Sequence, residues 1–260
     1  MKELHLDKYY TPLDIASTCI EVMKETLLPL MDITEYVEPS AGNGSFSLQI
    51  PNCLAYDLEP EHSSIMQADF LKLNLPYKKG RIVFGNPPFG KRNKLARSFY
   101  KKSVEIADAI AFILPISQMN NTSSLYEFDL IKSIDLGKLK YSNTPVHCCF
   151  NIYTRPSNFI FNSKPKTNIE WIKIYREDQK GYDSVEYDFA ITRRGSQVGK
   201  IRKQNIHTQT YKIKVFDKTK VETVRDIITS FNWDEYRKYN SAPSISKLDI
   251  YTLLQNKMGM

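Results

Sequence analysis

The stretch RIVFGNPPFG, residues 81–90, combines a strand with a rigid turn. Residues 81–84 are typical of a buried strand, and Gly85-Asn86-Pro87-Pro88-Phe89-Gly90 follow directly. Two consecutive prolines cannot continue a central strand, because neither has a backbone N–H to donate. The stretch therefore predicts an irregular turn at the carboxyl end of a strand, with an asparagine and an aromatic ring exposed there.

Around this turn, short apolar runs alternate with helical patterns. Strands are predicted at Tyr36-Val37, Leu54–Tyr56, Arg81–Phe84 and Ala109–Leu114. A helix begins at Thr11-Pro12, where threonine is expected to cap and proline to occupy the first turn. A second helix, marked by Leu95, Phe99 and Ile106, lies between the last two strands. This alternation predicts an α/β fold with a mostly parallel sheet.

The pattern changes after this region. Ser124–Glu127 has the form of a capping box that opens a helix through Ile134. Residues 138–141 and 146–153 are expected to pair as an antiparallel hairpin that closes the sheet. Three further strands are predicted in residues 169–175, 185–195 and 210–216, and Thr219–Glu222 is expected to cap a final helix. We expect a catalytic domain over 1–163 and a small, basic, β-rich region over 164–260.

The charge of the chain is unevenly distributed. The net charge is +7, and the balance is −1 over residues 1–150 but +8 over residues 151–260. Ten basic residues and no acidic residue occur between Phe70 and Val104. This basic cluster could bind a phosphate backbone, or it could simply be a basic surface in contact with solvent.

The same composition bounds the location of the protein. No run approaches the roughly 20 apolar residues that a membrane helix needs, and the residues after Met1 are not typical of a signal peptide. The four cysteines lack metal-binding spacing, so we expect reduced thiols, no zinc site and a cytoplasmic location.

A glycine turn follows the first predicted strand. The segment YVEPSAGNGSF, residues 36–46, places Ala41-Gly42-Asn43-Gly44 where the backbone can approach a ligand closely. The spacing matches neither the dinucleotide fingerprint nor a phosphate-binding P-loop. The turn alone therefore indicates only a nucleotide-like ligand.

Acidic residues end the next two strands. Asp57 follows the second strand, where a carboxylate can accept from both ribose hydroxyls. Asp69 follows the third strand and could accept from an exocyclic amine, while Phe70 packs on a purine. Each acid could instead be a helix cap or a surface charge. Because all three features lie at carboxyl ends of successive strands, they together favour an adenosine cofactor.

Asn86 can be interpreted in that context. The Asn86 side-chain oxygen and the Pro87 carbonyl could accept both hydrogens of an exocyclic amino group. Holding both N–H groups favours the pyramidal geometry in which the nitrogen lone pair can attack. Phe89 offers a face on which a flat base can stack. A purely structural turn is the alternative.

The motifs VFGNPPF, VEPSAGNGSF and YYTP together resemble the adenine-N6 DNA methyltransferases that use S-adenosylmethionine, in their gamma order. The resemblance covers about residues 9–155 and implies a Rossmann-like methyltransferase fold with a seven-stranded sheet. It implies that Tyr10, Thr11 and Pro12 approach the methionine end of the cofactor. Glu38, Ala41 and Gly42 would line the methionine and sulfonium region, and Phe150 would supply a second aromatic against the base.

The resemblance further implies direct methyl transfer to N6 without a covalent enzyme intermediate, and a duplex target would have to be flipped out. Basic side chains in two segments would contact nucleic acid: Lys91, Arg92, Lys94 and Arg97 after the turn, and Arg193, Arg194, Lys200 and Arg202 in a basic hairpin. Because the C-terminal region is small, it is compatible with a short recognition sequence or a helper subunit. No endonuclease-like segment is evident, so we expect a solitary enzyme or a separately encoded endonuclease.

Four alternatives remain open. RNA adenine methyltransferases and glutamine side-chain methyltransferases use similar turns, although the latter usually carry Tyr at the position of Phe89. Cytosine-N4 methyltransferases are chemically similar but more often have Ser at the position of Asn86. The fourth alternative is a non-catalytic nucleic-acid-binding subunit with a degenerate methyltransferase fold.

Overall fold

The structure is a computed structural model that describes residues 10–141, 144–203, 208–237 and 244–259. The chain divides into two compact units on either side of the Ser163–Lys164 bond. Among the described residues, no helix is long and apolar enough to cross a membrane.

The first unit is built around a seven-stranded sheet. Its elements are α1 (Leu13–Leu27), β1 (Glu35–Glu38), β2 (Leu54–Asp57), β3 (Met66–Gln67), β4 (Arg81–Gly85), α2 (Lys94–Ile106), β5 (Ala109–Pro115), β6 (Asp129–Tyr141) and β7 (Thr144–Thr154). The strand order is β3-β2-β1-β4-β5-β7-β6. Strands β1 to β5 pair in parallel, and β7 runs antiparallel to both β5 and β6. The predicted Rossmann-like methyltransferase fold, with its antiparallel hairpin, is confirmed.

The two faces of this sheet carry separate cores. Phe84 of β4 packs in the same cluster as Met23 of α1, whereas the preceding Val83 packs in the cluster that holds Tyr100 of α2. Successive strand residues point to opposite faces, so the apolar runs of β4 and β5 fill both cores. These cores fix the carboxyl ends of the parallel strands, where the loops described below converge.

The second unit contains a smaller antiparallel sheet. Its elements are β8 (Ile172–Arg176), β9 (Phe189–Thr192), β10 (Thr210–Val215), α3 (Val221–Ser230), α4 (Trp233–Arg237) and α5 (Lys247–Met258), and the strand order is β8-β10-β9. Strand, α3, α4 and α5 residues share one core that includes Ile213, Val224, Trp233 and Leu254.

A loop after β9 folds back onto that strand. The Thr192 N–H donates to the Lys200 carbonyl at 3.0 Å, and the Gly199 N–H donates to the Thr192 carbonyl at 2.8 Å. Gly199 has a φ of +78°, and a Cβ there would lie 2.0 Å from a ring carbon of Trp233. The loop is therefore packed against the core of the second unit at a position where only glycine fits.

Three predicted elements differ from the structure. The helix predicted from Ser124 through Ile134 is wrong, because residues 129–141 form β6 and pair along β7. The helix predicted after Thr219 is present as α3, but Asp217 caps the preceding turn and α3 is followed by α4 and α5. Thr11 does not cap α1, whose N-cap is Pro12 without a side-chain hydrogen bond.

Candidate functional site

A cavity of about 320 Å³ lies at the carboxyl ends of β1, β2 and β4. The chain segment before α1, the loops after these strands and α2 all contribute walls. Eleven of the predicted residues line it: Tyr10, Thr11, Glu38, Ala41, Gly42, Asp57, Asp69, Phe70, Asn86, Pro87 and Phe89. The volume falls in the usual range of small-molecule pockets.

Asp57 joins the loops that follow β1 and β2. Its Oδ2 accepts a hydrogen bond from the Gly42 N–H at 2.7 Å, and its Oδ1 accepts one from the Glu59 N–H at 2.8 Å. Each carboxylate oxygen has two lone pairs, so the same carboxylate can still accept from a ligand hydroxyl. The tight glycine turn is thus held against the acidic residue that the sequence predicted beside it.

Glu38 places a buried carboxyl group in the wall. It is 2% exposed, and its Oε2 accepts a hydrogen bond from the Ser47 N–H at 2.8 Å. Burial raises the pKa of Glu38 to about 8, since the charged form loses its hydration. Gly85, at a φ of +127°, allows this close packing, because a Cβ there would lie 3.2 Å from Cγ of Glu38.

Asp69 and Phe70 form the wall beyond β3. Asp69 Oδ1 accepts from the Leu71 N–H at 3.1 Å, and Oδ2 pairs with Lys72 at 3.0 Å. Asp69 therefore caps a short turn and also lines the cavity, so both sequence interpretations describe it. Phe70 is buried and stacks on Phe99 of α2, with ring centroids 5.7 Å apart and planes 18° from parallel.

The Asn-Pro-Pro-Phe turn completes the wall after β4. Asn86 Nδ2 donates to Thr11 Oγ1 at 3.1 Å, and Ser40 Oγ donates to the Asn86 carbonyl at 3.3 Å. The Phe89 carbonyl accepts from the Leu95 N–H at 3.2 Å, which joins the turn to α2. The asparagine amide is consequently held by residues that lie outside its own turn.

Some wall residues were not predicted. Leu58 is 47% exposed and directly follows Asp57, and an exposed leucine beside a strand-end acid was the available signal. Leu95 and Phe99 also line the cavity. Their helical spacing is equally typical of core residues, so the sequence alone assigned them only to a helix.

Two predicted residues lie away from the cavity walls. Pro12 is the N-cap of α1 and is not a lining residue. Phe150 is 2% exposed on β7, in the core cluster on the α1 side of the sheet, where it pairs with Ile113 and Ile134. Strand alternation buries its ring, so the structure does not bring Phe150 to the cavity.

The predicted basic residues of the first unit form a second, shallow cavity. Its lining consists of Lys91, Arg92, Lys94, Arg97, Ser98 and Lys101, with no acidic side chain among them. Arg97 donates to the Arg92 carbonyl at 2.7 Å, which orders the short segment between the turn and α2. The arrangement suits a multiply charged anion.

The basic residues of the second unit differ in their surroundings. Arg193 is partly buried, and its Nε lies 3.0 Å from each carboxylate oxygen of Glu177. Burial alone would raise the pKa of Glu177, but the hydrogen bonds and charge of Arg193, together with backbone hydrogen bonds, lower it on balance. Arg194 and Lys200 are exposed, and Arg202 is half-buried. Arg193 is therefore held by a structural ion pair, unlike its exposed neighbours.

The first unit has the Rossmann-like fold described above, and solved structures are similar to it in fold. No family model matches the chain, and no curated protein matches its sequence. A Pyrococcus horikoshii protein, PH1948, described as a candidate RNA methyltransferase, is 17% identical, with a TM-score of 0.46 over 59% of this chain and 89% of that one.

Two further solved structures are more distant. The 23S rRNA methyltransferase ErmE is 13% identical, with a TM-score of 0.42 over 58% of this chain and 70% of that one. Magnesium protoporphyrin IX methyltransferase from Synechocystis PCC 6803 is 9% identical, with a TM-score of 0.36 over 53% and 79%. Likenesses this distant concern the fold alone.

Proposed function

We propose that this chain transfers a methyl group from S-adenosylmethionine to the N6 amino group of adenine in DNA. One observation carries the proposal: the glycine turn, the two strand-end acids and the Asn-Pro-Pro-Phe turn line one cavity. Each of these features has a separate structural explanation, but their convergence on one small-molecule pocket does not.

The residues present fit the cofactor. Asp57 would hold the ribose hydroxyls, and Asp69 with Phe70 would hold the adenine. The buried carboxyl group of Glu38 would face the cationic methionine end, where a positive charge favours its ionised form. When bound, S-adenosylmethionine supplies an electrophilic methyl group on a sulfonium.

The remaining wall residues would hold the target base. The Asn86 side-chain oxygen and the Pro87 carbonyl would each accept a hydrogen bond from the amino group, and Phe89 would stack on the base. Catalysis would then depend on positioning and on preorganised hydrogen bonds, without a charged base in the reacting turn. An adenine would have to leave its stack to reach this cavity, at a cost of a few kcal/mol.

The charge of the chain supports a nucleic-acid substrate. The cationic cavity lined by Lys91, Arg92, Lys94 and Arg97 follows the Asn-Pro-Pro-Phe turn directly, so phosphates beside a bound base could reach it. Exposed Arg194 and Lys200 add charge in the second unit, whose sequence is strongly basic. These residues are suited to phosphate contact, which positions the substrate without reading its sequence.

The test is incubation of the full chain with methyl-labelled S-adenosylmethionine and separate pools of duplex DNA, single-stranded DNA and structured RNA. After digestion to nucleosides, label in N6-methyldeoxyadenosine is expected. Asn86→Ala should reduce the label strongly, and Asn74→Ala, at an exposed position, should not. Label confined to RNA would transfer the proposal to RNA adenine, and failure to bind the cofactor would support a non-catalytic subunit.

A further inference from the structure

Thr11 is buried although its side chain does not cap helix α1, which follows it. It is 5% exposed. Helix α1 begins without it, because Pro12 is the N-cap and the Ala16 N–H donates to the Pro12 carbonyl at 2.9 Å. The Thr11 hydroxyl therefore has a role other than capping, despite the favourable sequence.

The Thr11 hydroxyl contacts the asparagine of the Asn-Pro-Pro-Phe turn. Asn86 Nδ2 donates to Thr11 Oγ1 at 3.1 Å, across 75 residues of sequence. Ser40 Oγ donates to the backbone carbonyl of the same asparagine at 3.3 Å. One contact restrains the amide plane and the other restrains the backbone, so the direction of the Asn86 side chain is set from two other segments.

The segment that carries Thr11 is itself attached to the glycine turn. Tyr10 donates its hydroxyl to Glu61, whose N–H donates to the Gly42 carbonyl at 3.0 Å. The Tyr10 ring also lies against Gly42, where a Cβ would be 3.3 Å from Cε1. Thr11 thus has a fixed position relative to the wall formed by the glycine turn.

We propose that Thr11 is a positioning residue for Asn86. Its hydroxyl fixes the rotation of the amide about the Cβ–Cγ bond, so that the amide oxygen meets the target amine at a constant angle. This inference rests on the proposed function. It assigns Thr11 to the orientation of the asparagine, whereas the family resemblance implies contact with the methionine end of the cofactor.

The kinetic test compares Thr11→Val, which removes the hydroxyl at similar volume, with Thr11→Ser, which retains it. We expect Thr11→Val to lower kcat about tenfold to hundredfold, the scale of a small misplacement at a reacting centre, and to leave the Kd for S-adenosylmethionine within about twofold. Thr11→Ser should restore most of kcat. Thr18→Val, at an exposed position on α1, is the matched control and should behave as the native chain does.

Equal kcat in Thr11→Val and the native chain would overturn the inference. A rise in cofactor Kd with kcat preserved would also overturn it, because Thr11 would then act on the cofactor. In an Asn86→Ala background, Thr11→Val should cost little more, since the group that it positions is already gone.

A second measurement needs no substrate. In the NMR spectrum, the side-chain NH₂ signals of Asn86 can be assigned by their loss in Asn86→Ala. We expect Thr11→Val to shift them and to speed their exchange with water, and Thr11→Ser to leave them near their native positions. Unchanged signals in Thr11→Val would overturn the positioning role. If they shift while no pool is methylated, the proposed function fails and the positioning contact stands.

Discussion

Asn86 and Asp57 line the same cavity but are anchored in different ways. The side chain of Asn86 is held by Thr11, from the segment before α1, whereas Asp57 accepts two backbone N–H groups within 3 Å of its oxygens. The contact with Thr11 restrains the Asn86 amide, which the proposed function requires to be oriented toward the target amine. The backbone contacts of Asp57 hold the loop around its carboxylate in place. The two residues should therefore fail in different ways when they are replaced.

Asn86→Ala is expected to lower kcat by about 100-fold to 1,000-fold, the usual effect of removing one preorganised hydrogen-bonding group. The Kd for S-adenosylmethionine should stay within about twofold, because the cofactor is proposed to bind through other walls. Single-turnover rates and a binding titration measure the two quantities. Equal losses in both would mean that the asparagine is structural.

Asp57→Ala is expected to weaken S-adenosylmethionine binding about 10-fold to 100-fold, because charge-assisted hydrogen bonds contribute about 1.5–3 kcal/mol. Calorimetric titration measures the effect. Glu25→Ala, at an exposed position on α1, is the control for loss of one negative charge. Unchanged affinity in Asp57→Ala would disprove the ribose assignment.

Glu38 should make cofactor binding depend on pH. Because burial raises its pKa to about 8, the carboxyl group is mostly protonated at pH 7 and must lose a proton to face a cation. Binding should therefore release a proton at pH 7, and affinity should rise up to about tenfold per pH unit and level off near pH 8. Calorimetry in buffers of different ionisation enthalpy measures the release, and Glu38→Gln should abolish it.

The raised pKa of Glu38 also makes the stability of the protein depend on pH. The folded chain binds the Glu38 proton more tightly than the unfolded chain does. Without a ligand, the contribution of this proton to the free energy of unfolding therefore declines as pH rises from the ordinary carboxyl range toward about 8.

At the scale of elements, strands β1, β2, β4 and β5 were predictable because short apolar runs between turn residues are typical of buried strands. The helix predicted over Ser124–Ile134 failed because pairing along β7 gives residues 129–141 a long antiparallel ladder, which outweighs a local capping pattern. Helix α5 was missed because its capping box, Ser246 with Asp249, uses aspartate at the third position.

The candidate site was predictable to the extent that its residues follow strands. Asp57, Asp69 and Asn86 were found because parallel strands bring their carboxyl ends to one edge. The contact between Thr11 and Asn86 joins two distant segments, and no local pattern reports it. Phe150 was predicted to stack on the base, but the structure places it in a core cluster. An aromatic residue at that strand position is compatible with either the core or a ligand, and the sequence alone does not decide between them.

Two adjacent arginines directly after β9, Arg193 and Arg194, have different expected roles. Arg194→Ala should weaken DNA binding and reduce the slope of log K against log salt by about one. Arg193→Ala should lower the unfolding temperature of the protein, because it leaves Glu177 without its partner in a partly buried pair. Salt-dependent binding and thermal unfolding distinguish them, and an identical effect of both changes on the salt slope would contradict this division.

At the scale of the whole molecule, each unit has its own hydrophobic core, and every wall residue of the 320 Å³ cavity belongs to the first unit. A fragment of residues 1–163 is therefore expected to bind S-adenosylmethionine within about threefold of the full-chain affinity. It should bind DNA much more weakly, because the fragment lacks the basic region over residues 164–260. A fragment that folds, by circular dichroism, but loses the cofactor would show that the second unit supports the cavity.

The shared cavity has a consequence for ligand design. Asp57, Asp69, Asn86 and Phe89 all line this one cavity. A single molecule that links an adenosine group to an aminopurine could engage all four residues at once. Tethering would replace two separate association costs by one, so such a conjugate should inhibit far more strongly than an equimolar mixture of its halves.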